Sequence, residues 1–571
     1  MTANAWRARL ARGLAISPAF FLLGILVVVP IAFVVIAAFS STTPRPGSGG
    51  SFTLSLHSFG ILGTGEALVA LKNSLILSAV SSAAALVVGA LLAFVCARSN
   101  TPGRRFIYFT GIMPLFLPSY VGALAWVLIA GPSAGLVNVL FRDLGIDASI
   151  NIYGMGGLAF VLAIYNAPYA FLLVHGALSM MNSDLEDAAR THGGSVFYMM
   201  RQVTFPLAFP ALAGAGILMF ALSIENFAVA AVLGTPGQVE TLPTLIFRLM
   251  NSFPVRGNEA AAVAVSLSAV LIAATLFQRF LINRRSFTTI SGKGMKAKPV
   301  DLGPWRWPAL ALAALYFLLT VAGPMLALVL VSLQKSQFFP SFTRLADPEV
   351  FSLRAFREVV TSDLMRAAAI NSVVVSLSAA AVGVALGCYL AYTAYRTKLP
   401  GRGATETLAM LPVAIPALVF GMGLLWTWLV LPIPIYGTIF VLIVAFVAHE
   451  TPQAFRGVAS TILQTHRDLE DGAVMLGASR WKSVWYVTLP LMKVGLVSTF
   501  LLLLMLGMRE LSAPLFLFTT DTRMLSIAIF DDLDNGLLQR AAATSVLYTV
   551  IIFVLSMLAL RLGKVNFGDS K

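Results

Sequence analysis

Charge is scarce in this 571-residue chain: Asp, Glu, Lys and Arg together make up 11% of it, while 58% of its residues are hydrophobic. A soluble domain carries about a quarter charged residues, so the composition excludes a water-facing globule and leaves an integral membrane protein. Cysteine is nearly absent. Cys96 and Cys388 both fall inside apolar runs, and neither a disulfide framework nor a thiolate metal centre can be built from them. The histidines His57, His175, His192, His449 and His466 are dispersed. His449-Glu450 stands in "HETPQAF", which offers no further ligand at a useful spacing, so these two read as capping or pathway residues and no metal site is expected. Also missing is a Gly-x4-Gly-Lys-Ser/Thr loop: the nearest stretch, "SGKGMKAK" at 291–298, lacks the first glycine and the hydroxyl residue. ATP chemistry is therefore not expected in this chain. The formal charge of +14 is scattered over short loops, a pattern of membrane topology and not of a nucleic-acid face.

What is present is apolar length. Runs able to cross roughly 30 Å of hydrocarbon occur near 14–40, 67–97, 106–131, 155–180, 209–234, 259–283, 307–333, 367–395, 405–430, 435–461, 493–519 and 541–562. The fold class is thus an all-α polytopic membrane protein of about twelve transmembrane helices. A basic, Gly- and Pro-marked stretch separates a first six-helix half, 1–283, from a second, 307–571, with 284–306 as a cytoplasmic linker. Arg7, Arg9 and Arg12 precede a first apolar run about twice the length of a signal-peptide core, which reads as a retained anchor. Basic residues near the span ends, among them Arg98, Arg104, Arg105, Lys398, Arg402, Arg480, Lys482, Arg561 and Lys564, place both termini in the cytoplasm. The basic residues of the outer loop 334–366 run against this, although the rule weakens for long loops.

The halves repeat one another. Asn73-Ser74 recurs as Asn371-Ser372, Arg98 as Arg396, Pro114 and Pro118 as Pro412 and Pro416, all at an offset of 298. Further on, "DLEDAARTHGGSVFYMMRQVTFPL" at 184–207 recurs as "DLEDGAVMLGASRWKSVWYVTLPL" at 468–491, an offset of 284. The difference places about 14 extra residues in the first half, most simply around "GPSAGLVNVLFRDLGIDASINIY". Because six is even, both copies enter the membrane in the same sense and form parallel repeats.

Each copy of the charged segment predicts a short helix led by carboxylates, a stop at Gly193 or Gly477, and a second short helix bearing Phe197 or Trp481. Pro206 or Pro490 then opens the next span. An interfacial connector would be amphipathic too, but 11 of 24 positions are identical between the copies while the spans agree only at scattered points. That contrast favours a docking surface.

On these residues the chain resembles the inner-membrane permeases of binding-protein-dependent ABC importers. Their cytoplasmic motif runs Glu-Ala-Ala, three residues, Gly, then nine residues to a hydrophobic-Pro step. Glu186, Ala189, Gly193 and Pro206 match it in the first half, and Glu470, Ala473, Gly477 and Pro490 in the second. Asp187 and Asp471 stand where Ala is usual, Gly472 replaces an Ala, and "HGGS" replaces the "LGAS" kept at 476–479. The resemblance implies a bacterial inner-membrane subunit whose two loops couple to ATP-binding subunits, expected as two copies. ATP and Mg would be bound there, with no cofactor in this chain. Coupling residues would be Glu186, Asp187, Ala189, Gly193, Phe197, Glu470, Asp471, Ala473, Gly477 and Trp481. A substrate-binding protein would dock outside, on loops such as 235–258 and 520–540; lipid surrounds the chain, and no nucleic acid is involved.

Ionisable residues inside apolar runs are costly and face a pathway or a partner. Glu225-Asn226 and Arg509-Glu510 occupy nearly equivalent places in the expected spans five and eleven, and are the pathway or gate candidates. Length and stretches such as "ENFAVAAVLGTPGQVETLP" are similar to ferric-iron importers with fused permeases. Thiamine, aminoethylphosphonate and polyamine importers share the architecture, and a secondary transporter coupled through Glu225 and Glu510 is the reading from another class. The missing phosphate loop yields a direct expectation: the purified chain alone hydrolyses no ATP, checked by phosphate release from preparations free of other ATPases.

Overall fold

The computed structural model describes residues 18–563 apart from 45–52, 182–190, 192, 194, 284–298, 337–338, 340, 345–346, 398–401 and 432. Arg7, Arg9, Arg12, Lys398, Lys564 and most of the expected linker lie outside the described residues. Among those described, nine helices are long and apolar enough to cross a membrane, and three bent pairs bring the number to twelve if each pair is one span. In chain order these are α1 (Pro18–Ala38), α2 (Gly65–Arg98), α3 (Arg104–Phe116 with Ser119–Ala130), α4 (Met155–Ser179), α5 (Met200–Ile224) and α6 (Gly257–Phe277). The second set is α7 (Gly303–Ser332), α8 (Asp363–Arg396), α9 (Arg402–Ala414 with Ala417–Val430), α10 (Ile439–Gln464), α11 (Arg480–Leu491 with Lys493–Arg509) and α12 (Leu538–Leu558).

The repeat is visible in the packing. α2 runs along α4 with α5 closing the group, and α8 runs along α10 with α11 closing it. Close approach within each pair depends on a glycine at the same offset: a Cβ at Gly89 would lie 2.5 Å from the Ala167 carbonyl oxygen, and one at Gly387 2.7 Å from that of Ala454. Small residues let helix backbones meet in this way inside a bilayer, where lipid supplies no hydrophobic drive for association.

The proline pairs do more than kink. The two parts of α3 meet at 97° and those of α9 at 110°. Leu117 and Ile415, each preceding a proline, are extended at φ −100° and −125°, because the ring of the next residue excludes the helical region. Pro118 and Pro416 then start the second part, where a missing N–H is harmless.

The first helix of each half leaves its own bundle. α1 packs on α6 but also along Ala417–Val430 of α9, and α7 packs on α12 but also along Ser119–Ala130 of α3. Two buried tyrosines add ties across the halves: Tyr165 donates to the Thr320 carbonyl at 3.1 Å, and Tyr316 to the Ile164 carbonyl at 2.8 Å. The largest buried apolar cluster accordingly draws on both halves.

The extra residues of the first half form the helix Leu136–Asp143. Leu136 and Val139 pack against Ala327, Phe339 and Val350 of the second half, and the Asp143 carboxylate accepts the Phe342 N–H at 2.6 Å. The insertion thus staples the outer loop that follows α7. Basic residues of that loop region that opposed the charge rule are locally paired, Arg344 with Asp347 at 2.9 Å and Arg354 with Glu358 at 2.7 Å. At the other membrane face the end of the linker is pinned: Val300 donates to the Arg98 carbonyl at 2.6 Å, and Asn100 donates back to Val300 at 3.0 Å.

One boundary differs from the sequence expectation. The apolar run to 234 is not one helix; α5 ends at Ile224, and Phe227–Val229 begins a new turn after Asn226. Likewise α11 stops at Arg509. Replacing Gly387 by Leu drives a side chain into the α10 backbone and should destabilise the fold by about 1–3 kcal/mol, read as a lower melting temperature of the detergent-solubilised chain, whereas the open Gly403 should tolerate Ala.

Candidate functional site

The second charged segment is fully described. Asp468–Met475 is a helix with Asp468, Glu470 and Asp471 in its first turn, where carboxylates complement the helix dipole. Its end is a Schellman turn: Ala478 N–H bonds to the Ala473 carbonyl at 3.1 Å and Gly477 N–H to that of Val474 at 3.0 Å. Gly477 has φ +91° and Gly193 φ +83°, the left-handed region in which only glycine is unstrained. Ser479 then caps Arg480–Ser483, accepting the Lys482 N–H at 3.3 Å. Met475, Leu476 and Trp481 are 88%, 92% and 69% exposed, a patch of apolar side chains among charged ones and past the ends of the apolar runs. In the first copy Glu186, Asp187 and Ala189 lie outside the described residues, as does the side chain of Phe197; the helix Val196–Met199 that carries it is present.

Glu470 and Asp471, both expected at the coupling surface, face different ways. Glu470 is 2% exposed and turned inward, with Arg396 at 3.5 Å and the Tyr392 hydroxyl donating to it at 3.3 Å. Asp471 faces outward, paired with Arg480 at 2.6 Å and Arg467 at 3.6 Å. Counting three residues back from Gly477 to the second alanine position puts Asp471, and by the same count Asp187, at the acid of the motif. The helix period explains the swap, because adjacent residues point about 100° apart. Ala473 is half-buried and supplies the carbonyl that closes the turn.

The interior candidates form a polar layer at helix ends. Glu225 follows the last residue of α5, and Asn226 accepts the Val229 N–H at 2.9 Å, capping the next turn. At the 284 offset, Arg509 ends α11 and Glu510 caps the turn after it, accepting from Ser512 at 2.7 Å and Ala513 at 3.1 Å. Glu225 and Arg509 are therefore the equivalent pair, as are Asn226 and Glu510. Arg509 reaches across to Tyr169 of the first half at 3.3 Å. Glu510 lies within electrostatic reach of Glu225, Glu450 and His449. His449 and Glu450 sit in the middle of α10, so neither caps a helix. Glu450, read from the sequence with His449 as a capping or pathway residue, lies within reach of Glu510 and so belongs to this layer. Its signal was its alignment at offset 284 with Asn166, which bonds Ser223 at 3.1 Å in the first half. No group of three or more His, Cys, Asp or Glu side chains suited to a metal ion occurs among the described residues.

Beyond this layer, on the side opposite the charged segments, lies a cavity of about 700 Å³. Phe227 and Phe247 of the first half and Phe530 of the second line it, with Glu240, Arg248 and Asp534 as polar members. The rings pack together, Phe227 on Phe247 at 5.0 Å and on Phe530 at 6.0 Å. Two short helices frame the cavity, Leu242–Met250 and Leu525–Asp534, and the repeated Asn-Ser pairs hold them. Ser74 accepts the Leu242 N–H and Ser372 the Leu525 N–H, each at 2.8 Å. Asn73 donates to the Glu240 carbonyl and Asn371 to that of Asp521, each at 2.9 Å. The recurrence was legible in the sequence; the partner was not, since it lies 150 or more residues away.

Comparison with known proteins adds a family. The one described as binding-protein-dependent transport system inner membrane component matches twice, over residues 85–288 and 383–565. The chain is 26% identical over 524 residues to the ferric transport system permease protein of Actinobacillus pleuropneumoniae, covering 90% of this chain and 73% of that one. It is 32% identical over 154 residues to a protein of Salmonella paratyphi A named as a 2-aminoethylphosphonate transport system permease, covering 27% of this chain and 58% of the relative. A solved bacterial ABC transporter involved in the import of alginate is similar at 20% identity and a TM-score of 0.42, over 50% of this chain and 99% of that one.

Two expectations follow from the geometry. A Cβ at Gly477 would meet no atom within 4 Å, but Gly477→Val forces a β-branched residue into the left-handed region, at a cost of about 1–3 kcal/mol. It should displace the exposed patch while the spans still insert, and should do more harm than Gly193→Val, because Gly194 stands beside Gly193; protease accessibility of the segment in inverted vesicles reads both. Glu225→Gln and Glu510→Gln should insert normally, since an amide is cheaper in a span and can still accept the cap bonds, yet lower vesicle transport; normal transport in both assigns the acids to packing.

Proposed function

On the premise that the chain belongs to the binding-protein-dependent transport system inner membrane component family, and so is the multi-pass permease subunit of an ATP-driven importer and not itself an enzyme, we propose that it carries ferric iron. The cargo reading is supported by the similarity along most of the chain to a ferric permease; aminoethylphosphonate is the second reading, supported by a shorter similarity. In this reading the units 1–283 and 307–571 rock against one another, joined by the linker, with both termini in the cytoplasm. Two ATPase subunits, which hold the ATP and Mg, dock on the two charged segments. Asp187, Ala189, Gly193, Phe197, Asp471, Ala473, Gly477 and Trp481 form or shape those surfaces, and Glu186 and Glu470 position them. The binding protein docks over Leu242–Met250 and Leu525–Asp534 and releases cargo into the cavity between them.

The observation that carries the coupling role is the exposed patch of Met475, Leu476 and Trp481 on either side of the Gly477 turn. Aromatic side chains presented on a rigid short helix are what a partner's pocket takes as anchors. The polar layer beneath the aromatic cluster serves as the gate: Glu225, Asn226, Arg509 and Glu510 belong to helix ends from both halves, so a change of angle between the halves alters their spacing. Arg509 already bridges the halves by its hydrogen bond to the Tyr169 hydroxyl, so a change of angle between them acts on it directly.

The test is reconstitution of the chain with its ATPase and binding protein in sealed vesicles. Radiolabelled ferric iron should accumulate only when ATP is supplied on the ATPase side, and Trp481→Ala should lower ATPase co-purification by about tenfold. Accumulation of labelled aminoethylphosphonate with no iron uptake would overturn the cargo reading; uptake driven by an ion gradient without ATP would overturn the coupling.

A further inference from the structure

α8 ends at Arg396, and the guanidinium of that residue joins three elements. One nitrogen donates to the Ile462 carbonyl at 2.9 Å and to that of Thr465, at the end of α10. Its Nε stands 3.5 Å from Oε1 of Glu470 in the docking helix, with the two side chains only 7% and 3% exposed. Tyr392, one turn back on α8, donates to the other carboxylate oxygen at 3.3 Å, and Ser483 of the following short helix donates to the Glu470 carbonyl at 3.1 Å. The docking helix is thereby held to α8 and α10 from its inner face, while its outer face carries Asp471 and the apolar patch.

We propose that the buried Arg396–Glu470 pair is the link that carries movement of the second docking segment into the membrane bundle, making both residues positioning residues and not contacts for the ATPase. Arg396 Nε and Glu470 Oε1 have no hydrogen-bond partner of their own, so their mutual attraction is all that offsets the desolvation of these two atoms, and drawing the charges apart is costly. A push on the docking helix is therefore delivered to the ends of α8 and α10. Those two helices are locked face to face through Gly387 and move as one body. The first half repeats the anchor: Arg98 is fully buried and donates to the Met181 carbonyl at 3.3 Å. Arg98 is related to Arg396 by the 298 offset and Met181 to Thr465 by the 284 offset. An arginine that keeps both its place and its carbonyl partner through the divergence of two halves is held by a geometry common to both.

The proposal rests on the docking reading of the repeated segment, and the experiment separates the two. Complexes of the whole chain with ATPase and ferric-loaded binding protein are reconstituted in vesicles as Glu470→Gln, Tyr392→Phe and Trp481→Ala, and ATPase co-purification, ATP hydrolysis and iron imported per ATP are measured. Glu470→Gln should retain the ATPase while iron per ATP falls about fivefold or more, and Tyr392→Phe should lower the same ratio about twofold. Trp481→Ala should instead shed the ATPase. An unchanged ratio in both inner variants overturns the proposal, as does loss of ATPase from Glu470→Gln to the extent seen with Trp481→Ala, which would make Glu470 a contact. Full ATPase retention in Trp481→Ala removes the docking reading and the proposal with it. Should Glu470→Gln fail to insert, Tyr392→Phe, which deletes one hydroxyl, decides alone.

Discussion

Every backbone N–H and C=O within hydrocarbon has to be satisfied by the protein itself, and the rest of this structure depends on how that requirement is met where helices stop. Along the spans the helices meet it internally. At the interruptions it is met by side chains: Asn226 and Glu510 cap the turns after α5 and α11, and Ser74 and Ser372 receive the first N–H of the cavity helices. The breaks are therefore local places where polar side chains are obligatory. Asn226 and Glu510 of the polar layer, and the helices that frame the cavity, lie at these interruptions.

Duplication explains much of the remainder. The glycines that let α2 approach α4 and α8 approach α10, the proline breaks of α3 and α9, and the Asn-Ser pairs all persist at one offset. What diverged is the charge at the centre. Glu225 became the counterpart of Arg509, Asn226 of Glu510, and Asn166 of Glu450. The halves are unequal at this level: Arg509 reaches Tyr169 of the first half, while Glu510 lies within electrostatic reach of Glu225 and Glu450. The exchange of α1 and α7 between the halves makes the divergence tolerable, because each half is held by the other's first helix as well as by its own.

The candidate site was partly legible beforehand. Gly193 and Gly477 announced themselves, since a glycine placed a fixed distance after a carboxylate-led turn has few other uses. The sequence named both Glu470 and Asp471, because "LEDGA" offers two adjacent acids, and only the neighbouring Arg396 decides which one turns inward. Glu450 was read with His449 as a capping or pathway residue, but an acid beside a histidine carries no spacing signal that would place it beside Glu510, which comes from another helix.

The sequence by itself determined that the chain lives in a membrane, the places and order of its apolar helices, the existence of two copies and the segment that repeats between them. Each of these is a property of contiguous residues: hydropathy over some twenty positions, a proline after an extended residue, a recurrence at a constant offset. Only the tertiary structure decided that α1 and α7 change bundles, that an insertion staples the outer loop, that Glu470 is an inward anchor and that Arg509 meets Tyr169. Those outcomes turn on which face of a helix meets which neighbour. In a bilayer almost any apolar face can be buried, so the choice rests with a few small or polar residues hundreds of positions apart.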